Sequence, residues 1–381
     1  MLRIGNKLFG FCQGLRGVAK NIGTPGVQSG PFAYPVAMIA RFGPTRSQNA
    51  IPEDSQMTIH RRALIAGAVA APFVIRPARA AATLRWGTVL PTSHPSVVMM
   101  DKVAKDVGEK TGGAVVIQTF PSGQLGSSRD VIEATSSGAI QMVDEGAAQF
   151  GQFLASVSIL EAPYIWKSPA HMRRALASSI VDEMNTQLVA KREMRVIGST
   201  YYGTRHVTSG SRDVKTVADM QGFKLRIPEV DTYRAMAEAW GARPTPLNFG
   251  ELYLALSQGA VDGEENPLPT IQSSKFYEVQ KHLILTAHIM TPRLIVVNET
   301  AWTGLTASQQ DILRASLAKF GSEQDDEIVR QENELVDVFR KGGMIVPDID
   351  VESFRKPVLA SVPAKFEAKW GKGLWDRVAS A

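Results

Sequence analysis

Cysteine is nearly absent from this sequence: its 381 residues include one, Cys12. The chain after residue 12 therefore forms no disulfide bond within itself and offers no thiol nucleophile. The six histidines are scattered, without the HExxH spacing of a zinc hydrolase. The motifs GxGxxG, GxxxxGKS/T and GxSxG are also missing. These absences favour a binding protein over an enzyme, and no cofactor or metal ion is expected.

Excess charge of one sign is missing from most of the chain. The 42 Lys+Arg and 37 Asp+Glu give a net charge of +5. Ten of the basic residues but only two acidic ones lie in residues 1–80, which leaves 32 basic and 35 acidic residues for 81–381. A nucleic-acid-binding domain carries a basic face on its folded part. The distribution therefore argues against nucleic acid as a partner.

Apolar runs are too short to cross a membrane. The uncharged run 63–75 has 13 residues, whereas a spanning helix needs about 20. It follows Arg61-Arg62 and ends at Ala78-Arg79-Ala80, the small-x-small pattern of a cleavage site. Residues 57–80 are therefore predicted to be an export signal, and the mature protein is expected in the periplasm.

The type of signal and the start of the protein are separate predictions. The arginine pair resembles a twin-arginine signal, although His60 stands where that pattern usually has Ser or Thr. Met57 is the natural start of such a signal. Residues 1–56, rich in Gly, Pro and Ser, are then predicted to be an upstream extension, with a genuine leader as the alternative.

Beyond residue 80, strand and helix patterns alternate, which is typical of an α/β fold. A first helix is predicted after a cap at Thr92 or Ser93, and a second over 130–138. Strands are predicted over 84–90, 114–120, 195–200, 224–227 and 294–297.

A capping box at Thr306-Ala-Ser-Gln309 predicts a helix that continues to about Lys341. At ~1.5 Å per residue this helix is roughly 50 Å long, enough to brace two lobes. The run Asp325-Asp326-Glu327 is interpreted as its solvent-facing side.

Three stretches carry a recognisable pattern. They are KTGG with FPSGQLG (residues 110–113 and 120–126), YGTR with MQGFKLRIP (202–205 and 220–228), and PTPLNFGELYLAL with QGAVDGEENP (244–256 and 258–267). SKFYEVQK (274–281) follows them. In this order they resemble the extracytoplasmic solute-binding proteins of TRAP transporters, the DctP-like family, over about residues 83–370.

The resemblance implies an α/β fold of the periplasmic-binding-protein type. This is a two-lobed clamshell with discontinuous lobes and a long bridging helix. Lobe one is placed at 81–203 plus 292–331, and lobe two at 204–291 plus 332–381. The family binds organic acids in the cleft and delivers them to a membrane permease driven by a sodium gradient. The chain is therefore expected not to be an enzyme and not to span the membrane itself.

The resemblance also implies the main ligand contacts. Arg226, in Lys-Leu-Arg-Ile-Pro, corresponds to the arginine that binds the ligand carboxylate, and a guanidinium fork suits a planar carboxylate. Asn266 is expected to donate an amide N–H, or else to form a turn before Pro267. Arg205 is either a second cationic contact or the partner of an acid such as Glu265. Phe249 stacks on the ligand or belongs to the core.

Five further residues are placed near the cleft by the resemblance, each with a purely structural role as the alternative: His94, Arg129, Glu145, Gln149 and Tyr202. Val89, Ser128 and Gly146 stand where sialate-binding members have ligand-reading polar groups, which argues against sialate. Two arginines suit a C4-dicarboxylate, whereas Glu145 and Gln149 suit the hydroxyls of a sugar acid. Both ligand classes remain open at this point.

Two other functions compete with this interpretation. One is an ABC-type binding protein, against which the motifs around Arg226 and Asn266 argue. The other is an exported enzyme acting on an acidic sugar, which would turn over the molecule that a binding protein merely retains.

Overall fold

The computed structural model describes residues 81–381, so the predicted export signal and upstream extension lie outside the described residues. The strands are β1 (Ala82–Gly87), β2 (Val115–Phe120), β3 (Met142–Gly146), β4 (Met194–Ser209), β5 (Lys224–Ile227), β6 (Arg243–Pro246), β7 (Gly263–Pro267) and β8 (His282–Asn298). The helices up to residue 273 are α1 (Pro95–Lys110), α2 (Ser128–Ser136), α3 (Ala147–Phe150), α4 (Pro169–Leu176), α5 (Ser179–Arg192), α6 (Asp231–Ala239), α7 (Leu252–Ser257) and α8 (Leu268–Ser273). They are followed by α9 (Glu299–Thr303), α10 (Ala307–Lys341), α11 (Val351–Trp370) and α12 (Leu374–Ala379).

All eight described strands belong to one mixed sheet, in the order β2-β1-β3-β8-β4-β7-β5-β6. The long strands β4 and β8 run antiparallel to each other in the middle. β3 pairs with the second half of β8, from Arg293 to Val297, whereas β7 pairs with the second half of β4, from Arg205 to Ser209. The two halves of the sheet are therefore joined through β4 and β8.

These two strands are much longer than predicted. The apolar patterns indicated 195–200 and 294–297, but the strands have 16 and 17 residues. Polar residues such as Arg205 and Thr286 interrupt the apolar pattern, yet they are buried in the sheet. A strand covered on both faces lacks the alternation that marks a half-exposed strand, and buried polar groups conceal it further.

Three register shifts interrupt the pairing of β4 with β8. At the second, Tyr201 pairs with Pro292 and Gly203 with Thr291, so Tyr202 is the extra residue of a bulge. Gly203 has φ +126°, and a Cβ there would lie 2.7 Å from the Cβ of Pro267. The position therefore requires glycine, because both its backbone angle and its space exclude a side chain.

The prediction for α10 agrees with the structure, whereas α2 spans Ser128–Ser136 and so begins and ends two residues before the predicted 130–138. α10 has 35 residues, about 52 Å, and its capping box between Thr306 and Gln309 is present. The cap predicted for α1 at Thr92 or Ser93 is wrong: His94 caps this helix, since its Nδ1 accepts from the N–H of Ser96 at 3.1 Å.

The outer face of α10 also needs a correction. Asp325 is not on the solvent-facing side, because its Oδ1 accepts from the backbone N–H of Tyr201 at 2.6 Å. Among the described residues, no helix is both long and apolar enough to cross a membrane.

Candidate ligand-binding site

Most of the predicted site residues line one cavity of about 60 Å³. Strands from both halves of the sheet contribute to it, together with the segments that follow β5 and β6. Eight of the nine predicted residues line it: Arg129, Glu145, Gln149, Tyr202, Arg205, Arg226, Phe249 and Asn266. The ninth, His94, does not.

Arg226 projects into this cavity from β5 and is 3% exposed. Its Nε and Nη2 donate to the carbonyl oxygen of Leu247 at 3.0 and 2.6 Å. Within residues 81–381, no carboxylate oxygen lies within 4.0 Å of its guanidinium nitrogens. Burial lowers the pKa of Arg226 to about 10, so the group is still a cation at neutral pH. An anion entering the cavity would therefore meet a buried positive charge with no ion-pair partner.

Arg205, on β4, is paired. Its Nε and Nη2 donate to the two carboxylate oxygens of Glu265 at 2.6 and 2.9 Å. His288 also places its Nε2 3.0 Å from Glu265. Although burial raises the pKa of a carboxyl, the Arg205 guanidinium outweighs it, and the pKa of Glu265 is lowered. Of the two roles expected for Arg205, the pairing with an acid is therefore the one formed here.

The Asn266 side chain is hydrogen-bonded at both its oxygen and its nitrogen. Its Oδ1 accepts from Arg205 Nη2 at 3.1 Å, and its Nδ2 donates to Glu264 at 2.6 Å. Burial raises the pKa of Glu264 to about 7, although Asn266 and Thr208 both donate to it. The amide is fixed in orientation, and its nitrogen carries a second N–H that a ligand in the cavity can accept.

The opposite wall contains Arg293, a residue that the sequence analysis missed. Its Nε donates to Asp144 at 2.8 Å, its Nη1 to Glu145 at 3.3 Å and its Nη2 to Thr88 at 3.2 Å. Glu145 also accepts from the Ser128 hydroxyl at 2.7 Å. The Arg293 charge is thus compensated by two acids. A charged residue inside the apolar run of β8 was the available signal.

Glu161 is a second missed residue of the cavity wall. It accepts from the backbone N–H of Ala148 at 2.8 Å and from the Tyr233 hydroxyl. Burial raises the pKa of Glu161. Its partners are 13 and 72 residues away in sequence, so no local motif identifies this position.

The Arg293 guanidinium lies over the ring of Tyr202, with its central carbon 5.0 Å from the ring centroid. Its hydroxyl accepts from Thr270 at 2.7 Å. His94 lies outside the cavity wall, with its ring 5.2 Å from that of Tyr202 and its Nε2 3.3 Å from Thr270. Burial lowers the pKa of His94 to about 3, so the ring is neutral. In this structure His94 therefore packs beside Tyr202 and does not line the cavity.

The outer end of the cavity is polar. Arg129 is exposed, and its Nη1 donates to Gln152 at 3.1 Å. Gln152 donates in turn to Gln149 Oε1 at 3.2 Å and to the carbonyl oxygen of Glu229 at 3.1 Å. Phe249, which packs edge-on against Phe276 at 5.9 Å, gives the same cavity an apolar side.

The arrangement suits the binding of a small polar anion. Guanidinium, amide and hydroxyl groups surround the cavity, with an aromatic ring at one side. In residues 81–381, no group of three His, Cys, Asp or Glu side chains is placed to hold a metal ion. A small acid with further polar groups would find both a charge partner and hydrogen-bond partners here.

The chain is similar over most of its length to bacterial binding proteins. The family model described as bacterial extracellular solute-binding protein, family 7 (DctP), matches residues 86–369. The sialic acid-binding periplasmic protein SiaP of Vibrio cholerae is 31% identical over 301 residues, which make up 79% of this chain and 93% of the relative.

Solved structures share the fold. A TRAP periplasmic solute binding protein from Roseobacter denitrificans, with bound 3-deoxy-D-manno-oct-2-ulosonic acid, is 29% identical; its TM-score is 0.75, over 79% of this chain and 99% of that one. Another from Polaromonas sp. JS666, bound to D-erythronate, is 30% identical; its TM-score is 0.74, over 78% and 98% of the two chains. The prediction of a two-lobed α/β binding-protein fold is thereby confirmed.

Proposed function

Because this chain belongs to bacterial extracellular solute-binding protein family 7, we propose that it captures a small organic acid and delivers it to a sodium-driven TRAP permease. Family membership confirms the resemblance to TRAP solute-binding proteins and the prediction of a binding protein rather than an enzyme. The two alternatives, an ABC-type protein and an enzyme acting on an acidic sugar, are thereby overturned. The family is extracytoplasmic; for this chain, export by a twin-arginine signal within 57–80 is part of the proposal.

The observation that carries the proposal is the charge of Arg226, which has no carboxylate partner among residues 81–381. A buried cation without a contacting anion is costly, because its hydration is lost, and Glu264 and Glu265 favour the Arg226 charge only from beyond 4.0 Å. A ligand carboxylate would supply that contacting anion. It would accept hydrogen bonds from the N–H groups of the Arg226 guanidinium that do not donate to Leu247, and from the second N–H of the Asn266 amide. Binding would therefore relieve a cost that the ligand-free protein already carries.

The same charges favour a sugar acid over a C4-dicarboxylate. Arg205 and Arg293 would serve a second carboxylate only by giving up their pairs with Glu265 and with Asp144 and Glu145. A second carboxylate would also approach the acidic groups of that wall. Hydroxyls, in contrast, can donate to Glu145 and to the side-chain oxygen of Gln149 without breaking any ion pair. We therefore assign the ligand one carboxylate and several hydroxyls.

Support for this class comes from the relatives. The two solved structures bind 3-deoxy-D-manno-oct-2-ulosonic acid and D-erythronate, which are both hydroxylated acids with one carboxylate. Val89, Ser128 and Gly146 all line the cavity. Val89 and Gly146 have no polar side chain, and the Ser128 hydroxyl donates to Glu145, so we keep the expectation that the ligand is not sialate.

The proposed lobes keep the predicted boundaries, 81–203 plus 292–331 and 204–291 plus 332–381. They divide the sheet where β3 pairs with one half of β8 and β7 with one half of β4. The cavity then has walls from both lobes, since Glu145 and Arg293 belong to the first and Arg226 and Asn266 to the second. A ligand that contacts both walls would stabilise the closed arrangement.

A thermal-shift screen of residues 81–381 tests the proposal. Acids are compared in pairs that differ by one oxidised carbon: D-erythronate with meso-tartrate, and L-galactonate with galactarate. A ligand at 1,000 times its Kd stabilises by about 4 kcal/mol, and we expect such shifts only from the first member of a pair. Larger shifts from meso-tartrate or galactarate would refute the single carboxylate but keep an organic acid. Chemical conversion of a bound acid would refute the binding-protein function.

A further inference from the structure

The bulge that holds Tyr202 lies in the middle of β4, against the long helix α10. Tyr202 is the extra residue, without a partner on β8, and its ring lines the cavity. Bulges re-aim side chains, and the backbone groups around them lose regular pairing. Those groups need other partners, because a buried N–H without an acceptor is costly.

Two carboxylates of α10 supply these partners. Asp325 Oδ1 accepts from the N–H of Tyr201 at 2.6 Å, and Glu332 Oε1 accepts from the N–H of Thr204 at 2.5 Å. Glu332 also accepts from the Tyr201 hydroxyl at 3.0 Å, and Gln324 Nε2 donates to the carbonyl oxygen of Tyr201 at 3.1 Å. α10 therefore holds the backbone on both sides of the bulged residue.

The placement on the helix fits this role. Asp325 and Glu332 are seven residues apart, two turns of an α-helix, so they lie on one face. Both are largely buried, and burial raises the pKa of each. Carboxylates on a helix surface normally stay in water, and here they accept backbone N–H groups, which makes these bonds charge-assisted.

We propose that Asp325 and Glu332 are positioning residues for ligand binding, which fix the β4 bulge and thereby aim Tyr202 and Arg205 into the cavity. The proposal rests on the function proposed above. Neither carboxylate lines the cavity. Their effect on affinity is therefore indirect, through the backbone between Tyr201 and Arg205.

Protonation provides a readout that a merely structural role would not give. The pKa of Asp325 is raised to about 6, first by burial. The cation facing it is Arg173 of α4, whose Nη2 lies 3.3 Å from Oδ2, and Asp326 is its charged neighbour on α10. Glu332 faces the hydroxyls of Tyr201 and Thr204. Below pH 6 the proton on Asp325 weakens the bond to Tyr201, so affinity should decrease there.

The test compares Asp325→Asn and Glu332→Gln, which keep the side-chain shape, with Asp337→Asn as control. Asp337 lies on the same helix, is exposed and pairs only with Arg340 among the described residues. Calorimetric titration with D-erythronate and L-galactonate should give affinities lower by about tenfold for the two variants and unchanged for the control, as expected for a charged acceptor replaced by a neutral one. Between pH 7 and 5, the affinity of the wild type should decrease severalfold more than that of Asp325→Asn, which keeps the titration of Glu264 beside Asn266 but loses that of Asp325.

Hydrogen exchange of the ligand-free protein gives a second measurement. Peptides covering 198–206 should exchange about tenfold faster in Asp325→Asn and Glu332→Gln than in Asp337→Asn. Tyr201→Phe, which removes the hydroxyl bond and leaves both carboxylates, replaces either variant if it does not fold. Unchanged exchange, or folded variants that bind within twofold of the control, would overturn the positioning role. If no acid bound the wild type, the proposed function would fail. Hydrogen exchange would still show whether Asp325 and Glu332 fix the β4 bulge.

Discussion

Arg226→Ala is the most direct perturbation of the proposed site. Of the three buried arginines that line the cavity, Arg205 and Arg293 have carboxylate partners, whereas Arg226 has none within 4.0 Å in residues 81–381. If the ligand carboxylate pairs with Arg226, truncation leaves that carboxylate desolvated and unpaired. Losing one partner of a buried charged pair costs about 2–5 kcal/mol. At 1.4 kcal/mol per decade, this corresponds to roughly 30- to 4,000-fold in Kd.

Arg226→Lys separates charge from geometry. Lysine keeps the positive charge, but it has one ammonium in place of the planar fork that donates twice to a carboxylate. It also cannot reproduce both bonds from Nε and Nη2 to Leu247 at the same time as a bidentate ligand contact. We expect this variant to recover only part of the affinity, and to discriminate less between acids of different carboxylate orientation.

Isothermal titration calorimetry with the acid selected by the thermal-shift screen measures these effects. Arg243→Ala is the matched control, because Arg243 lies on the neighbouring strand β6 and is exposed. Its Kd should equal that of the wild type. Circular dichroism establishes that each variant is folded. If folded Arg226→Ala bound within threefold of the wild type, Arg226 would not be the carboxylate anchor.

Other predictions concern stability, closure and processing. Arg205→Ala should lower the free energy of unfolding of the ligand-free protein by about 3–5 kcal/mol, because the buried Glu265 carboxylate loses its arginine partner. Denaturant unfolding measures this change, and a loss below 1 kcal/mol would contradict the pairing. Ligand binding should reduce the radius of gyration in small-angle scattering, since contacts to both lobes form together only when closed; an unchanged radius at saturation argues against a hinge. Intact mass should show a mature protein that begins at or near Ala81; a start before Met57 would disprove the assignment of 1–56.

The sequence was most informative where local motifs carry the chemistry. The stretch around Arg226 and the Glu-Asn-Pro segment with Asn266 were both recognised, and the structure brings them into one cavity. The helix α10 was predicted from its capping box to about Lys341, and in the structure it ends at Lys341, before Gly342. These features depend on residues within a few positions of one another.

Features that depend on distant residues were missed. Arg293 joins the site through Asp144, Glu145 and Thr88, which are 148 to 205 residues away in sequence. Asp325 was assigned to the solvent-facing side because helical periodicity reports where apolar residues lie and says nothing about a backbone bulge packed against the other face. No pattern within α10 indicates that β4 presents unpaired N–H groups at that point.

The ion pairs of the two cavity arginines Arg205 and Arg293 suggest how the cleft can open. Arg205 and Glu265 lie on the paired strands β4 and β7, and Arg293 pairs with residues of its neighbouring strand β3. Each pair therefore stays within one proposed lobe, and separating the lobes breaks neither.

The hydrogen bonds that cross between the proposed lobes at the cavity have uncharged donors, and they include those from Gln152 to the Glu229 carbonyl, from Tyr233 to Glu161 and from Thr270 to the Tyr202 hydroxyl. Such bonds contribute little net free energy, because water replaces them when they open. Arg226 differs from both groups, since its charge is unpaired while the cleft is empty and would be paired only by an acid held inside. Because Arg226 belongs to the second proposed lobe alone, the differential interaction that ligand-driven closure requires would come from the contacts that the bound acid then makes with the first lobe, at Glu145 and Gln149.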